Sequence, residues 1–220
     1  MSRLLIDAEL FLFRAAAAAE YEAEWAPGDW TYLCRHGDAR NNVQEQLAAI
    51  RELAPDHEPL LVFGSQASFR YSVFPGYKAN RRTKRKPCGW APLVEWIRQS
   101  AWAAGWFAEE LPGIEGDDAM GVLAGPDDII ASDDKDMLTL PGQLIRNGEL
   151  LAISQDLADR NFFNQPLTGD TADGYPGCPG LGAVRAERLL DQSDTPAEMW
   201  DAVLAAFIKA GKTEQFALQM

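Results

Sequence analysis

The sequence predicts an α/β protein with a mostly parallel central sheet flanked by helices. Short continuous apolar runs, such as residues 60–63, are typical of parallel strands, whose two faces are both buried. Runs of this kind alternate with amphipathic helical patterns, and that alternation indicates strands joined by helical crossovers. With 220 residues, of which 47% are hydrophobic, the chain can bury such a core as one large domain or as one domain with a small appendage.

Strands and helices alternate along the first 153 residues. Residues 41–53 illustrate the helical pattern, with apolar side chains at helical spacing. Residues 25–38 contain a Pro-Gly turn but do not resolve into one type of element. In chain order, the predicted elements are a strand at 3–7, helices at 10–21 and 41–53, a strand at 60–63, a helix at 93–107, a strand near 105–108, a helix at 119–124, a strand at 129–132, and a hairpin or edge strand over 145–153.

The last part of the chain has a different pattern. Residues 168–182 are rich in glycine and lead into a predicted helix at 183–190, and residues 197–210 predict a further helix. Glycines in a hairpin between two helices let backbone N–H groups point outward, where they bind phosphate with little need of positive side chains. We therefore expect a phosphate-binding hairpin in this region.

The composition indicates a folded cytosolic protein. Its 24% of charged residues is ordinary for a globular chain, and no apolar run approaches the roughly eighteen residues of a membrane span. Charged residues interrupt the apolar N-terminal run, which argues against a signal peptide. The three cysteines are widely separated and the two histidines are too few for an imidazole site, so a bound metal would rely on oxygen ligands.

Acidic residues gather at the ends of neighbouring predicted elements. Asp117 and Asp118 open a helix, where carboxylates face the positive end of the helix dipole. Asp134 and Asp136 follow the next strand and share one face if the extended conformation persists. Crowded carboxylates raise each other's pKa unless a cation neutralises them, which favours a multivalent metal over a solvated acidic loop. Asp7, after the first strand, either joins this ligand-binding edge of the sheet or caps the next helix.

One basic segment stands out from an acidic chain. The net charge is −13, yet residues 70–86, hereafter the basic segment, contain seven basic and no acidic residues. Aromatic residues such as Phe69, Phe74 and Tyr77 are interleaved with these charges. This pattern favours a nucleic-acid groove, in which bases stack on rings and cations meet phosphates. A solvated basic surface and a localisation-type signal are the alternatives.

Five motifs, in their order along the chain, resemble those of the 5′-nucleases. This family includes flap endonucleases, the exonuclease domains of bacterial repair polymerases and the short bacteriophage 5′→3′ exonucleases, and the likeness to the phage enzymes is the strongest. The motifs are Leu5-Ile6-Asp7; Phe69-Arg70 with Tyr77-Lys78-Ala79-Asn80-Arg81; Glu115-Gly116-Asp117-Asp118; Ser132-Asp133-Asp134-Lys135-Asp136; and Gly169-Asp170-Thr171-Ala172-Asp173 through Gly182.

The resemblance implies an arch above the sheet, a helix-hairpin-helix module and two Mg²⁺ or Mn²⁺ ions. It implies a PIN-like nuclease domain at residues 1–165, with the basic arch near 70–90, and a DNA-binding region at 166–220 that packs on it as one catalytic unit. One position departs from the family, because Gly64-Ser65 stands where its members usually carry an aspartate. The acids that fall on the family's metal positions are Asp7, Glu115, Asp117, Asp118, Asp134, Asp136, Asp170 and Asp173.

The activity that the resemblance implies is metal-dependent hydrolysis of DNA phosphodiesters near 5′ ends, either as a 5′→3′ exonuclease or as a structure-specific 5′ flap endonuclease. Lys78 and Arg81 are expected to act at the scissile phosphate. The residues expected to contact DNA are Arg70, Tyr77, Arg82, Lys84, Arg85, Lys86, Gly180, Gly182, Arg185 and Arg188.

The expected partner is DNA, with RNA–DNA hybrids as a further candidate, and the expected form is a monomer without membrane contact. The resemblance places it in DNA replication, in the cytoplasm, which is the host's if the chain is phage-encoded. An alternative is a catalytically impaired module that binds DNA junctions, which the Ser65 departure supports. A metal-dependent phosphatase would use the same acids but leaves the basic segment and the glycine-rich hairpin unexplained.

Overall fold

The structure, a computed structural model, describes residues 2–65, 68–81, 83–104 and 106–217. In chain order its helices and strands are β1 (Arg3–Asp7), α1 (Ala8–Ala18), β2 (Glu20–Ala26), β3 (Asp29–Cys34), α2 (His36–Leu53), β4 (Glu58–Phe63), α3 (Arg70–Val73), α4 (Trp90–Ala103), β5 (Phe107–Glu110), α5 (Gly116–Leu123), β6 (Ile129–Ala131), β7 (Gly142–Arg146), β8 (Glu149–Ile153), α6 (Gln155–Thr168), α7 (Ala183–Leu190), α8 (Pro196–Lys209) and α9 (Glu214–Ala217). Short 3-10 helices cover Ala79–Arg81 and Lys135–Thr139. Every helix among the described residues is too short or too polar to serve as a membrane span.

The chain divides into two compact units, each built from separate segments. The first comprises Met1–Ala67, Arg85–Met137 and Gly142–Ala152, and the second comprises Ser68–Lys84, Leu138–Pro141 and Ile153–Met220. These boundaries differ from the expected regions 1–165 and 166–220. The difference arises because most of the basic segment and all of α6 pack with the C-terminal residues.

A six-stranded sheet forms the centre of the first unit and confirms the predicted fold class. The strand order is β5-β4-β1-β6-β7-β8, and the pairs β1–β4, β1–β6, β4–β5 and β6–β7 are all parallel. The chain runs from β1 to one side of the sheet and later returns to the other side at β6. Ligands of open parallel sheets bind at such a switch point, outside the carboxyl ends of the strands.

The side chains of the sheet explain why these segments became strands. Leu4 and Ile6 of β1 and Leu61 of β4 are almost completely buried in one apolar core that helices of the unit also line. Burying an aliphatic side chain of this size contributes about 1.5–3 kcal/mol relative to leaving it exposed. The core therefore stabilises the central strands whose ends carry Asp7 and Gly64.

One predicted boundary near the first helix was wrong, and the structure resolves the segment that follows it. The helix predicted to reach Tyr21 ends at Ala18, because residue 20 begins a strand. Residues 25–38, which the pattern left unresolved, include the rest of a two-stranded antiparallel hairpin, β2–β3, that is separate from the central sheet. Glu22 and Glu24 lie opposite Tyr32 and Trp30 in its register. Such alternation with exposed acids carries a weak strand signal, because strand patterns depend on one buried face.

The second unit holds the glycine-rich segment between two helices, as the sequence predicted. Its core contains Leu167 of α6, Leu190 of α7 and Phe207 of α8, all buried. Two glycines bring the segment together between α6 and α7. A Cβ on Gly169 would lie 2.5 Å from the Gly177 amide nitrogen, and Gly177 itself has a φ of +73°. The segment closes on itself only because both positions lack a side chain.

Gly177→Ala is expected to lower the free energy of unfolding by about 3 kcal/mol, since alanine combines a positive φ with a close backbone contact. Gly180→Ala is the matched control, because Gly180 also has a positive φ, +80°, but nothing lies within 4 Å of its Cβ position. Its cost is expected to be about 1 kcal/mol. Urea denaturation of both variants measures the difference, and equal losses would contradict the close-contact explanation.

Candidate functional site

Asp7 and Asp134 are linked by a buried serine at the carboxyl ends of β1 and β6. The Ser132 hydroxyl donates to Asp7 Oδ2 at 2.7 Å and accepts from the Asp134 amide at 3.1 Å. Asp7 Oδ1 accepts from the Leu10 amide at 3.1 Å, so Asp7 also caps α1. Burial raises the pKa of Asp7, although the Ser132 and Leu10 hydrogen bonds lower it and the nearby Asp134 raises it further. Helix capping and the predicted place at the ligand-binding edge are therefore compatible.

The extended conformation on which a shared face of Asp134 and Asp136 depended does not persist beyond the strand. The strand β6 ends at Ala131, and residues from Lys135 onward form a 3-10 helix. The Asp134 carboxylate accepts the Asp136 amide at 3.0 Å, and this side-chain hydrogen bond favours a turn over continued extension. The turn places the Asp136 backbone against the Asp134 carboxylate.

Three further carboxylates cluster at the start of α5. One oxygen from each of Glu115, Asp117 and Asp118 lies within 4.8 Å of the others, as the sequence motif suggested. The helix start is ordered by its own acids, because Asp117 Oδ1 accepts the Asp118 amide at 2.8 Å and Asp118 Oδ2 accepts the Glu115 amide at 3.3 Å. Three hard oxygen donors at this spacing fit Mg²⁺ or Mn²⁺.

Glu9 lies against Gly64, next to the departure from the family pattern, and the sequence reasoning missed it. The Gly64 amide donates to the Glu9 carboxylate, and a Cβ on Gly64 would lie 2.9 Å from Glu9 Oε2. Burial raises the pKa of Glu9, while Lys86 opposes that shift and Asp7 adds to it. The neighbouring Ser65 amide donates to the Ile114 carbonyl at 3.0 Å. The only sequence signal for Glu9 was a carboxylate in the first turn after Asp7.

Asp133, which lies between two predicted site residues, has a structural role. Its carboxylate accepts a hydrogen bond from Arg14 of α1 and, at 2.6 Å, from the Asn147 amide in the β7–β8 turn. Asn147 has a positive φ of 51°, which this bond stabilises. Asp133 therefore joins helix and turn, whereas its neighbour Asp134 lies in the Ser132 network.

Ser132→Ala is expected to lower the free energy of unfolding by about 1–2 kcal/mol in EDTA, because Asp7 Oδ2 and the Asp134 amide both lose a buried partner. Ser132 is 0% exposed. Ser72→Ala is the control, since the Ser72 hydroxyl bonds the Phe69 carbonyl at an exposed position. Urea denaturation should show little change for Ser72→Ala. A similar small change for Ser132→Ala would contradict the role given to its hydroxyl.

In the second unit, residues 77–81 of the basic segment contact residues 170–175, hereafter the acidic loop. Asp173 accepts hydrogen bonds from Arg81 Nη2 at 2.5 Å and from the Tyr77 hydroxyl at 3.3 Å, and the Lys78 ammonium lies 3.9 Å away. The Lys78 amide donates to the Asp173 carbonyl at 2.8 Å, which helps to hold Lys78 at a φ of +50°. Asp170 Oδ1 accepts the Asp173 amide at 3.3 Å. The predicted acids and cations of this unit are thus brought together.

Tyr77 was predicted to contact DNA, but its side chain is buried. Tyr77 is 1% exposed, and its ring lies 5.4 Å from that of Tyr71 and 5.8 Å from that of Tyr175. A base stacks on an aromatic residue only where the face of the ring is open. The aromatic side chain therefore packs inside the second unit and its hydroxyl orients Asp173.

The other residues predicted to contact DNA differ in whether their side chains already interact with groups of the protein. Arg70 lies over the Phe69 ring, Lys86 lies over the Trp90 ring at 3.5 Å, and Arg85 forks onto Glu20. The predicted contacts Lys84, Gly180, Gly182, Arg185 and Arg188 are all exposed, and Gly182 is the N-cap of α7. Arg185 Nη1 donates to the Gly180 carbonyl at 3.0 Å. Arg82 lies outside the described residues.

Comparison with known proteins gives one family match over most of the chain. The model of the 5′-3′ exonuclease, N-terminal resolvase-like domain, matches residues 2–165. Among curated relatives, the exodeoxyribonuclease of Enterobacteria phage T3 is 29% identical, in an alignment that covers 96% of this chain and 83% of the phage protein.

Solved structures of phage T5 proteins share the fold. A T5 5′-exonuclease with bound divalent zinc superposes with a TM-score of 0.71 at 14% identity, covering 100% of this chain and 87% of that one. A T5 flap endonuclease in complex with DNA and metal ions gives a TM-score of 0.66, also at 14% identity, with 100% and 87% coverage. These structures support the same α/β architecture as the sheet described above.

Proposed function

The chain belongs to the 5′-3′ exonuclease family of the N-terminal resolvase-like domain, and we propose that it hydrolyses DNA phosphodiesters near 5′ ends with the help of divalent metal ions. The family membership confirms the resemblance drawn from the sequence motifs. The observation that carries the proposal is the cluster of Glu115, Asp117 and Asp118, whose carboxylate oxygens lie within 4.8 Å of one another at the start of α5.

The proposed cofactor is a pair of Mg²⁺ or Mn²⁺ ions held by carboxylates. Divalent ions in such sites lower the pKa of bound water and neutralise charge on the leaving oxygen. The chain's own contribution is to hold the ligands in place, as Ser132 does for Asp7 and Asp134. The proposed ligands are Asp7, Glu115, Asp117, Asp118, Asp134, Asp136, Asp170 and Asp173.

Lys78 and Arg81 are proposed to bind the scissile phosphate. Asp173 lies beside both cations and so orients them before any nucleic acid arrives. Cations preorganised in this way stabilise negative charge in the transition state without a further cost of reorientation. Arg81 also donates to the Ala172 carbonyl at 2.9 Å, which fixes its guanidinium on the acidic loop.

DNA is proposed to be bound through its backbone. Exposed cations such as Lys84 supply charge, and Gly180, Gly182, Arg185 and Arg188 form the proposed phosphate-binding hairpin. Contacts of this kind carry little sequence information, so sequence preference should be slight. The regions 1–165 and 166–220 are proposed to act together on DNA as a monomer, in the host cytoplasm if the chain is phage-encoded, like the T3 relative.

Cleavage assays test this proposal directly. A 5′-labelled duplex and a matched 5′-flap substrate would be incubated with Mg²⁺, with Mn²⁺ and with EDTA. We expect metal-dependent products, and their lengths distinguish removal of terminal nucleotides from flap cleavage. An RNA–DNA hybrid in the same assay tests the further substrate. Absence of cleavage with both metals would contradict the proposal.

A second candidate function is a junction-binding module with impaired catalysis. Ser65 favours it, because a neutral hydroxyl stands where family members usually carry an acid. This candidate predicts binding to the flap substrate in EDTA and no cleavage with either metal. Under this reading Ser65→Asp restores cleavage, whereas under the nuclease proposal the parent protein already cleaves.

A further inference from the structure

We propose that Glu20, Tyr32 and Arg85 form a clamp that anchors the C-terminal end of the basic segment and orders it for DNA binding. Arg85 is then a positioning residue and does not contact the phosphates. The DNA part of this inference rests on the proposed function, whereas the anchoring itself does not. All three residues belong to the first unit, in which Arg85 opens the second chain segment.

The clamp is a bidentate ion pair between Arg85 and Glu20, and the Tyr32 ring stacks on its guanidinium group. Arg85 Nη1 donates to Glu20 Oε2 at 2.7 Å, and Arg85 Nη2 donates to Glu20 Oε1 at 2.6 Å. The guanidinium carbon lies 3.7 Å from the centroid of the Tyr32 ring. Bidentate geometry and ring stacking are specific to arginine, since an ammonium group offers neither a planar fork nor a flat face.

Glu20 also holds the turn that follows Arg85. Its Oε2 accepts the Cys88 amide at 2.7 Å, so one carboxylate binds both a side chain and the backbone three residues later. The Arg85 hydrogen bond, followed by that of Cys88, lowers the pKa of Glu20 to about 2. The Glu20 side chain is only 14% exposed. The low pKa keeps the Glu20 carboxylate charged throughout the neutral range, and its burial shields it from most of the solvent.

The same turn packs against the end of β3. A Cβ on Gly89 would lie 2.2 Å from Cys34 Sγ, so only glycine allows this approach. Cys34 pairs with Glu20 across the hairpin, which places the packing contact beside the ion pair. The β2–β3 hairpin, which contributes nothing to the central sheet, thus serves as the platform on which residues 85–89 rest.

These contacts leave Arg85 poorly suited to bind phosphate. Its Nη1 also donates to the Lys86 carbonyl at 3.1 Å, and its flat face is covered by Tyr32. A phosphate bound across Nη1 and Nη2 would require the Glu20 fork to break. An anchored end instead restricts the conformations of the neighbouring residues, so less entropy is lost when Lys84 and the rest of the basic segment bind DNA.

A variant of Glu20 separates the two roles of Arg85. If Arg85 anchors the segment, Glu20→Gln and Arg85→Gln both raise the KM for the flap substrate about five- to tenfold with kcat nearly unchanged, and the double variant resembles either single one. If Arg85 binds phosphate, Glu20→Gln releases it, and KM stays the same or falls. That second outcome would overturn the proposal.

Matched controls account for the change of charge. Glu22→Gln removes the same charge from an exposed position two residues along β2, and we expect no rise in KM. Arg85→Lys keeps the charge but not the fork, so we expect it to behave like Arg85→Gln. Full activity of Arg85→Lys would instead indicate that charge alone matters and would overturn the clamp.

Limited digestion with trypsin tests the anchoring without any nuclease activity. In Glu20→Gln, cleavage after Lys84 and Arg85 is expected to be about tenfold faster than in the parent or in Glu22→Gln, because local opening exposes the chain. Circular dichroism would verify that each variant is folded. An unchanged digestion rate in folded Glu20→Gln would overturn the clamp. Failure of the parent to cleave DNA would count against the proposed function while this measurement still decides the clamp.

Discussion

Asp134→Asn is expected to lower kcat by on the order of 10³-fold or more while DNA binding in EDTA persists. The substitution is nearly isosteric, and its amide oxygen can still accept the Asp136 amide that Asp134 accepts at 3.0 Å. What disappears is the negative charge that the proposed metal site requires. Single-turnover cleavage at saturating Mg²⁺, together with a binding titration in EDTA, measures both effects.

Asp133→Asn provides the adjacent control. Asp133 binds Arg14 and the Asn147 amide, so its loss is expected to lower stability by about 1–2 kcal/mol with kcat changed by less than about threefold. The pair of variants separates a metal ligand from a structural acid one residue away. If Asp134→Asn cleaved as fast as the parent, or if Asp133→Asn were equally inactive, the proposed ligand set would be wrong.

Lys78→Ala is expected to lower kcat about 100-fold while the Kd for DNA rises no more than about threefold. The Lys78 side chain is 17% exposed and its ammonium lies 3.9 Å from Asp173 Oδ2 and 4.8 Å from the centroid of the Tyr77 ring. A cation held in this way is expected to stabilise the negative charge that develops in the transition state and to contribute little to the general attraction of DNA. Alanine introduces no greater backbone strain than lysine at this positive φ, because both carry a Cβ.

Lys84→Ala removes an equal charge from an exposed position in the same segment. We expect it to weaken DNA binding, to reduce the salt dependence of binding by about one phosphate contact, and to leave kcat unchanged. Measuring kcat, KM and the salt dependence of Kd for both lysine variants gives the comparison. Equal effects of the two substitutions on Kd, with kcat intact in both, would show that Lys78 only attracts DNA.

Local sequence patterns determined most of the central sheet and pointed to the acids of the candidate site. The apolar runs predicted β1, β4 and β6 because buried parallel strands need continuous apolar side chains. The glycine-rich segment and the helix Ala183–Leu190 were also predicted, since glycines and helical periodicity are read within a few residues. The acids at strand ends followed from the same local patterns, and the cluster at the start of α5 forms as the motif suggested.

The sequence did not predict side-chain roles that depend on partners far away along the chain. Tyr77 looked like a base-stacking residue, yet Tyr175, nearly a hundred positions later, covers it. Arg85 looked like a phosphate contact, yet Glu20, 65 residues earlier, binds it. In both cases the pattern of charge and aromaticity identified the residue but not its partner, because the partner lies far away along the chain.

The sequence by itself therefore determined the type and order of the main elements and which of them carry the acids and cations. Only the tertiary structure decided which of those groups are buried, which are paired, and that the basic segment up to Lys84 joins the C-terminal residues in one compact unit. The physical reason is that strand and helix patterns arise from burial of one face over a few neighbouring residues. Ion pairs and ring contacts instead depend on approach in space, which no spacing along the chain specifies.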